Sequence, residues 1–146
     1  MTEIKRKAEA VWKGDLRGGN GRITSNSGVL KDAIYSFSTR FENEPGTNPE
    51  ELIAAAHAGC FSMAFANTLA EKGYKPESIE THATCVLSSQ KSGGFAITKM
   101  LLKVQGRVPN IDQTLFEQIA KEADGGCPVS NLLRNGLEIE LDATLI

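Results

Sequence analysis

The chain is expected to fold as an α+β protein in which antiparallel sheets pack around one long buried helix. Three observations lead there. No charged residue occurs between Leu52 and Ala70, strand-like alternating segments lie on both sides of that stretch, and the elements run in the order βββ-α-ββ-αα-β. Runs of strands interrupted by a few helices give helices segregated onto antiparallel sheet.

Taken in order, Ala8 to Lys13 alternates weakly around Trp12 and reads as a strand. Gly14 to Gly21 carries four glycines and reads as a turn, with Asn20-Gly21 as a hairpin signal, and Arg22 to Ser25 resumes as a strand. Ile34 to Phe41 alternates, with Tyr35, Phe37 and Thr39 on one face and Ile34, Ser36, Ser38 and Arg40 on the other. These segments predict a three-stranded antiparallel meander. Glu42 to Thr47 contains Pro45-Gly46 and reads as a loop.

The central helix is expected over Asn48 to Lys72. Asn48 is a good N-cap, Pro49 suits the first helical position, and Glu50 and Glu51 place negative charge at the positive end of the helix dipole. Gly73 follows as the residue that ends it. Only His57, Ser62, Asn67 and Thr68 interrupt an otherwise apolar surface, and a helix apolar all round is a buried one. Its length approaches the ~20 residues of a membrane span. The alanine-rich composition together with Gly59, His57 and Asn67 argues against that reading.

Beyond Gly73, Ile79 to Ser89 and Phe95 to Val108 read as a hairpin turning at Lys91 to Gly94, with a bulge near Gly106. Asp112 is placed to cap a helix over residues 112–123, which Gly125-Gly126 should break. Pro128 starts a short helix just after Cys127, and Leu137 to Ile146 alternates as a last strand. No repeat, linker or low-complexity tract divides the chain, so one domain over residues 1–146 is expected.

Composition narrows the function. A net charge of −2 with interspersed charges argues against nucleic acid as the main partner. The N-terminus lacks the apolar run of a signal peptide, so the cytoplasm is expected. Three cysteines are an odd number and too few for a disulfide-stapled secreted fold. There is no CxxC pair, no HExxH and no EF-hand spacing, so a structural metal site is not expected.

The cysteines are the residues that could carry chemistry. Cys60 lies in the middle of the apolar helix, where a free cysteine can simply pack as a small hydrophobe. Cys127 lies at a Gly-Gly-Cys-Pro junction where a helix begins, and backbone N–H groups at such an end favour a thiolate. Two such cysteines suggest a thiol that reacts and a second that resolves it. Cys85, mid-strand, reads as a packed side chain. Arg40 precedes the loop into the helix and is either a source of positive charge for a thiolate or a solvated strand-end residue. Glu50 can act in such a site or merely favour the helix dipole. His57 shares a helix face with Cys60, as its base or as a buried histidine with its hydrogen bonds met.

The stretch GTNPEELIAAAHAGCFSMA, the phrase GGFAIT and the motif GCPVS together resemble the OsmC/Ohr family of thiol-dependent organic hydroperoxide reductases, and the opening VWKGDLRGGNGRITSNSGVL resembles its OsmC branch. The resemblance covers essentially the whole chain. It implies an OsmC-like fold in an intertwined homodimer, with Cys60 as the peroxidatic cysteine, Cys127 as the resolving one, and Arg40 with Glu50 as the charged pair that activates Cys60. The Ohr branch draws its arginine from near the N-terminus, where Arg17 and Arg22 stand here. The implied substrate is an organic hydroperoxide. The implied reductant is a dithiol, with a lipoyl-type dithiol as one candidate, and no metal or cofactor is required. The rival readings are a redox sensor and a small-ligand-binding stress protein without turnover. An arginine beside Cys60 should hold its thiol below the ~8.5 of a free cysteine. Glu50 and Cys60 are ten positions apart, which at 1.5 Å per residue is roughly 15 Å along a straight helix. No carboxylate side chain bridges that, so Glu50 is expected to serve the Cys60 of a second copy across a two-fold axis.

Overall fold

In the computed structural model, which describes residues 2–146, the chain forms two compact units, one ending at Leu52 and the other spanning Ile53–Ile146. The first unit is built on an antiparallel meander of β1 (Ala8–Lys13), β2 (Asn20–Ser25) and β3 (Ala33–Tyr35), hydrogen-bonded in that order. Asn20 and Gly21 are not the turn. They pair with Lys13 and Trp12 inside β2, and the reversal falls on residues 14–19, where Gly14 has φ +91° and the Gly19 N–H donates to the Asp15 carbonyl at 3.0 Å. Gly21 is required in the strand because the rings of Tyr35 and Trp12 lie over it. A Cβ there would sit 2.4 Å from Tyr35 and 2.8 Å from Trp12.

The strand expected over Ile34 to Phe41 stops at Tyr35. Residues Phe37–Phe41 form a helical turn, α1, instead. Local hydrogen bonding overrides the alternation. Ser36 caps α1 by accepting from the Thr39 N–H at 3.2 Å, and the Ser36 N–H donates back to Thr39 Oγ1 at 2.8 Å, a reciprocal capping box. Phe37 and Phe41, four apart, then meet with ring centroids at 4.8 Å. Arg40 is therefore a helical residue, not a partner of Ser36 and Ser38 on a strand face.

Helix α2 (Pro49–Glu71) begins and ends as its sequence predicts. The Asn48 side chain accepts from the Glu51 N–H at 2.8 Å. At the other end Gly73 takes φ +89° and the Tyr74 N–H returns to the Leu69 carbonyl at 2.9 Å. Apart from its first turn, α2 belongs to the second unit. There it is buried along one stripe only, formed by His57, Phe61, Phe65 and Leu69. The expected all-round burial is not seen in the single chain, since Met63 on another face is 76% exposed. By length and composition α2 could cross a membrane. The buried stripe, which includes a hydrogen-bonded histidine, places it instead as a core helix.

The second unit adds β4 (Ser78–Ser89), β5 (Phe95–Arg107), α3 (Gln113–Gly126), α4 (Pro128–Leu133) and β6 (Glu138–Leu145). β4 and β5 form the expected hairpin, but its irregularity lies between Val86 and Leu87, not at Gly106. β6 runs parallel to β5, which corrects the expectation of purely antiparallel sheet. Asp112 caps α3 as predicted, accepting from the Leu115 N–H at 2.8 Å. The helix then continues through Gly125 and Gly126. Each glycine costs about 1 kcal/mol in a helix, and the buried face of Phe116, Ile119, Ala120 and Ala123 outweighs that. One face of β5, with Met100, Leu102 and Val104, is buried, and the core joins Leu102, Val104 and Val108 just beyond the strand to Phe61, Phe65 and Leu69 of α2 and the inner face of α3.

Gly106 lies where β5 meets this core, because Phe116 of α3 occupies the space a side chain would need. A Cβ there would be 2.6 Å from the Phe116 ring. Gly106→Ala should therefore destabilise the protein by about 1–3 kcal/mol, read as a lower midpoint in urea unfolding with an unchanged slope.

Candidate active site

The two cysteines singled out by sequence meet in the second unit. Cys60 Sγ and Cys127 Sγ are 3.2 Å apart, both as free thiols, although 67 positions separate them in the chain. Helix α2 carries Cys60 one residue before Phe61 of the buried stripe. Cys127 sits at a junction, ending α3 and capping α4 with one residue. Its N–H donates to the Asp124 carbonyl at 3.3 Å and its sulfur accepts from the Ser130 N–H at 3.5 Å. Cys127 is fully buried, whereas Cys60 is half-buried at the edge of the apolar core. Burial pushes the Cys60 thiol above its ordinary pKa, the Val129 backbone N–H at the start of α4 pulls it down, and the neighbouring Cys127 side chain raises it further. The net direction is upward. The groups its own chain places around Cys60 thus act against the depressed pKa expected from the sequence. Cys85 is half-buried on β4, paired in register with Met100.

His57 is one turn before Cys60 and completely buried. Its Nε2 is 2.7 Å from Ser130 Oγ, itself fully buried, while Nδ1 has no hydrogen-bond partner among the described residues. Desolvation holds His57 below its ordinary pKa, the Asp124 carboxylate acts in the opposite sense, and Arg134 lowers it again. Asp124 is held by Arg134, Nη1 to Oδ2 at 3.0 Å. Ser130, Asp124 and Arg134 were not visible as site residues in the sequence. The spacing of three between Cys127 and Ser130 is the one local signal, and nothing local pairs Ser130 with a histidine 73 positions away.

In the first unit, Arg40 and Glu50 form a two-point ion pair. Arg40 Nη2 donates to Glu50 Oε1 at 2.6 Å, and Nε donates at 3.1 and 3.2 Å to the two carboxylate oxygens. Glu50 is 7% exposed, so its charge is satisfied mainly by this contact. Arg40 also lines a cavity of about 290 Å³ with Trp12, Leu16, Tyr35, Phe37 and Phe41. The two arginines that the Ohr branch would suggest are elsewhere in that unit: Arg17 stacks over Phe37 at 4.7 Å, and Arg22 lies on β2 between Val11 and Ile34.

A contacting pair of free cysteines on an α+β scaffold, one half-buried and one fully buried, defines a dithiol protein. The chain belongs to the OsmC-like protein family, whose model matches residues 41–142. It is 50% identical over 142 residues to peroxiredoxin OsmC of Escherichia coli, covering 97% of both chains. It is also 30% identical over 127 residues to the organic hydroperoxide resistance protein OhrB of Bacillus subtilis, covering 86% of this chain and 91% of that one. The crystal structure of Bacillus subtilis OhrB superposes with a TM-score of 0.75 at 27% identity, covering 94% of this chain and 98% of that one.

The buried histidine gives a pH signature. The unfolded chain protonates His57 near its ordinary value of about 6.5, and the folded chain resists that proton. Stability is therefore complete above that pH and falls as the pH drops from about 6.5 toward the lower folded value, by at most about 1.4 kcal/mol per pH unit. Urea midpoints measured across this range should fall for the wild type, and His57→Gln should lose that component.

Proposed function

We propose that the chain is a cysteine-based organic hydroperoxide reductase, with Cys60 as the reacting thiol and Cys127 as the resolving one. The 3.2 Å contact between the two sulfurs carries the reading, because a sulfenic acid formed on one is then within reach of attack by the other. The more open cysteine is the one a substrate can reach, which supports giving Cys60 the first step. The names of the relatives, a peroxiredoxin and organic hydroperoxide resistance proteins, supply the oxidant class.

In this scheme the Cys60 thiolate attacks the distal oxygen of the hydroperoxide. The O–O bond breaks, the alkoxide leaves with a proton as the alcohol, and Cys60 becomes a sulfenic acid. The Cys127 sulfur then attacks the Cys60 sulfur, the S–O bond breaks, water leaves, and a Cys60–Cys127 disulfide remains. An external dithiol, of which dihydrolipoamide is a test case, returns both thiols by exchange. The apolar core against which Cys60 packs favours alkyl hydroperoxides over hydrogen peroxide. Arg40, oriented by Glu50, is proposed as the positive charge that opposes the upward push of burial on Cys60, delivered from a second copy of the chain in a homodimer.

The test is steady-state consumption of cumene hydroperoxide with dihydrolipoamide. Cys60→Ser should lose roughly a thousandfold or more in rate. Cys127→Ser should undergo one oxidation and then stall with a sulfenic acid on Cys60, and Cys85→Ser should turn over normally. Single oxidation without turnover in the wild type would identify a sensor, and no oxidation of either thiol would identify a binding protein. The trans arrangement has its own test. Refolded mixtures of Cys60→Ser and Glu50→Ala chains should regain up to one working site per heterodimer, and heterodimers without activity would place Glu50 outside the partner's site.

A further inference from the structure

His57 has no part in the chemistry above, yet it is a fully buried imidazole one turn from the reacting sulfur. Its Nε2 reaches Ser130 Oγ at 2.7 Å, so it ties the turn of α2 that carries Cys60 to the first turn of α4. The same Ser130 donates its N–H to Cys127 Sγ at 3.5 Å, and its carbonyl accepts from the Arg134 N–H at 2.9 Å. Helix α4 has six residues, too few to hold its position without tertiary contacts. A displacement of 1 Å in a reacting pair costs on the order of a hundredfold in rate. We propose that His57, acting through Ser130, is a positioning residue for the resolving step: it holds Cys127 against Cys60, and so governs closure of the disulfide rather than the first reaction of Cys60. The proposal rests on the assignment of Cys60 and Cys127 as the redox pair.

Two measurements on His57→Ala, Ser130→Ala and His57→Gln test it. Rapid mixing with cumene hydroperoxide separates Cys60 oxidation from disulfide closure. Equilibration with glutathione buffers reads the stability of the Cys60–Cys127 disulfide without any peroxide. Both alanine variants should close the disulfide roughly tenfold or more slowly, and hold it correspondingly less tightly, while Cys60 oxidation stays within about twofold. The Gln side chain, able to reach Ser130, should restore most of both. Equal slowing of the two steps, unchanged closure, or a folded Gln variant as defective as Ala would overturn the proposal. A chain whose disulfide depends on His57 in glutathione but which leaves hydroperoxide untouched would refute the peroxidase reading and uphold this one. Hydroperoxide turnover with His57-independent closure would do the reverse.

Discussion

The second unit depends on the four-residue spacing of His57, Phe61, Phe65 and Leu69 along α2. All four are fully buried. Phe65 meets both Phe61 and Phe116, with ring centroids at 5.8 and 4.9 Å, so the stripe joins α2 to α3 through aromatic contacts. Ser62 adds a hydrogen bond to Thr81 of β4 at 2.7 Å. Cys60 is next to Phe61 and inherits its position. A thiol on a less firmly seated helix could not be held at contact distance from a sulfur on a six-residue helix.

The polar groups of this unit are arranged around the same constraint. A buried imidazole is tolerated in the stripe because the Ser130 hydroxyl answers one of its nitrogens, while the backbone N–H of the same residue is taken up by the Cys127 cap of α4. Sulfur is a weak acceptor, so capping by Cys127 leaves the helix end less firmly satisfied than an oxygen cap would. The sequence thus accepts a weaker helix start in order to place a thiol there.

Much of this was legible in the sequence where the signal is local. Asn48, Pro49 and Gly73 bounded α2 correctly because capping is decided within a few residues. The hairpin of β4 and β5 and the helix starts at Asp112 and Pro128 were legible for the same reason. Alternation misled at Phe37–Phe41, where a capping box outcompeted a strand pattern, and Asn20-Gly21 misled because two rings, not a turn, explain the glycine. The parallel placing of β6 and the His57–Ser130 bond depend on residues far apart in the chain, and no periodicity encodes them. The pairing of Arg40 with Glu50 was legible only through the family resemblance, and the ion pair is present; what alternation misplaced was the backbone that carries Arg40, a helical turn and not a strand.

The parallel pairing of β5 and β6 also sets where in the chain Cys127 lies. Parallel neighbours cannot be joined by a tight turn, so residues 108–137 must cross over before β6 can dock. Cys127 is carried on that crossover, and its contact with Cys60 closes a loop of 67 positions. Closing a loop of that length carries an entropy cost that the core contacts of α2 and α3 must offset, so the meeting of the two sulfurs depends on the whole unit and not on either helix alone.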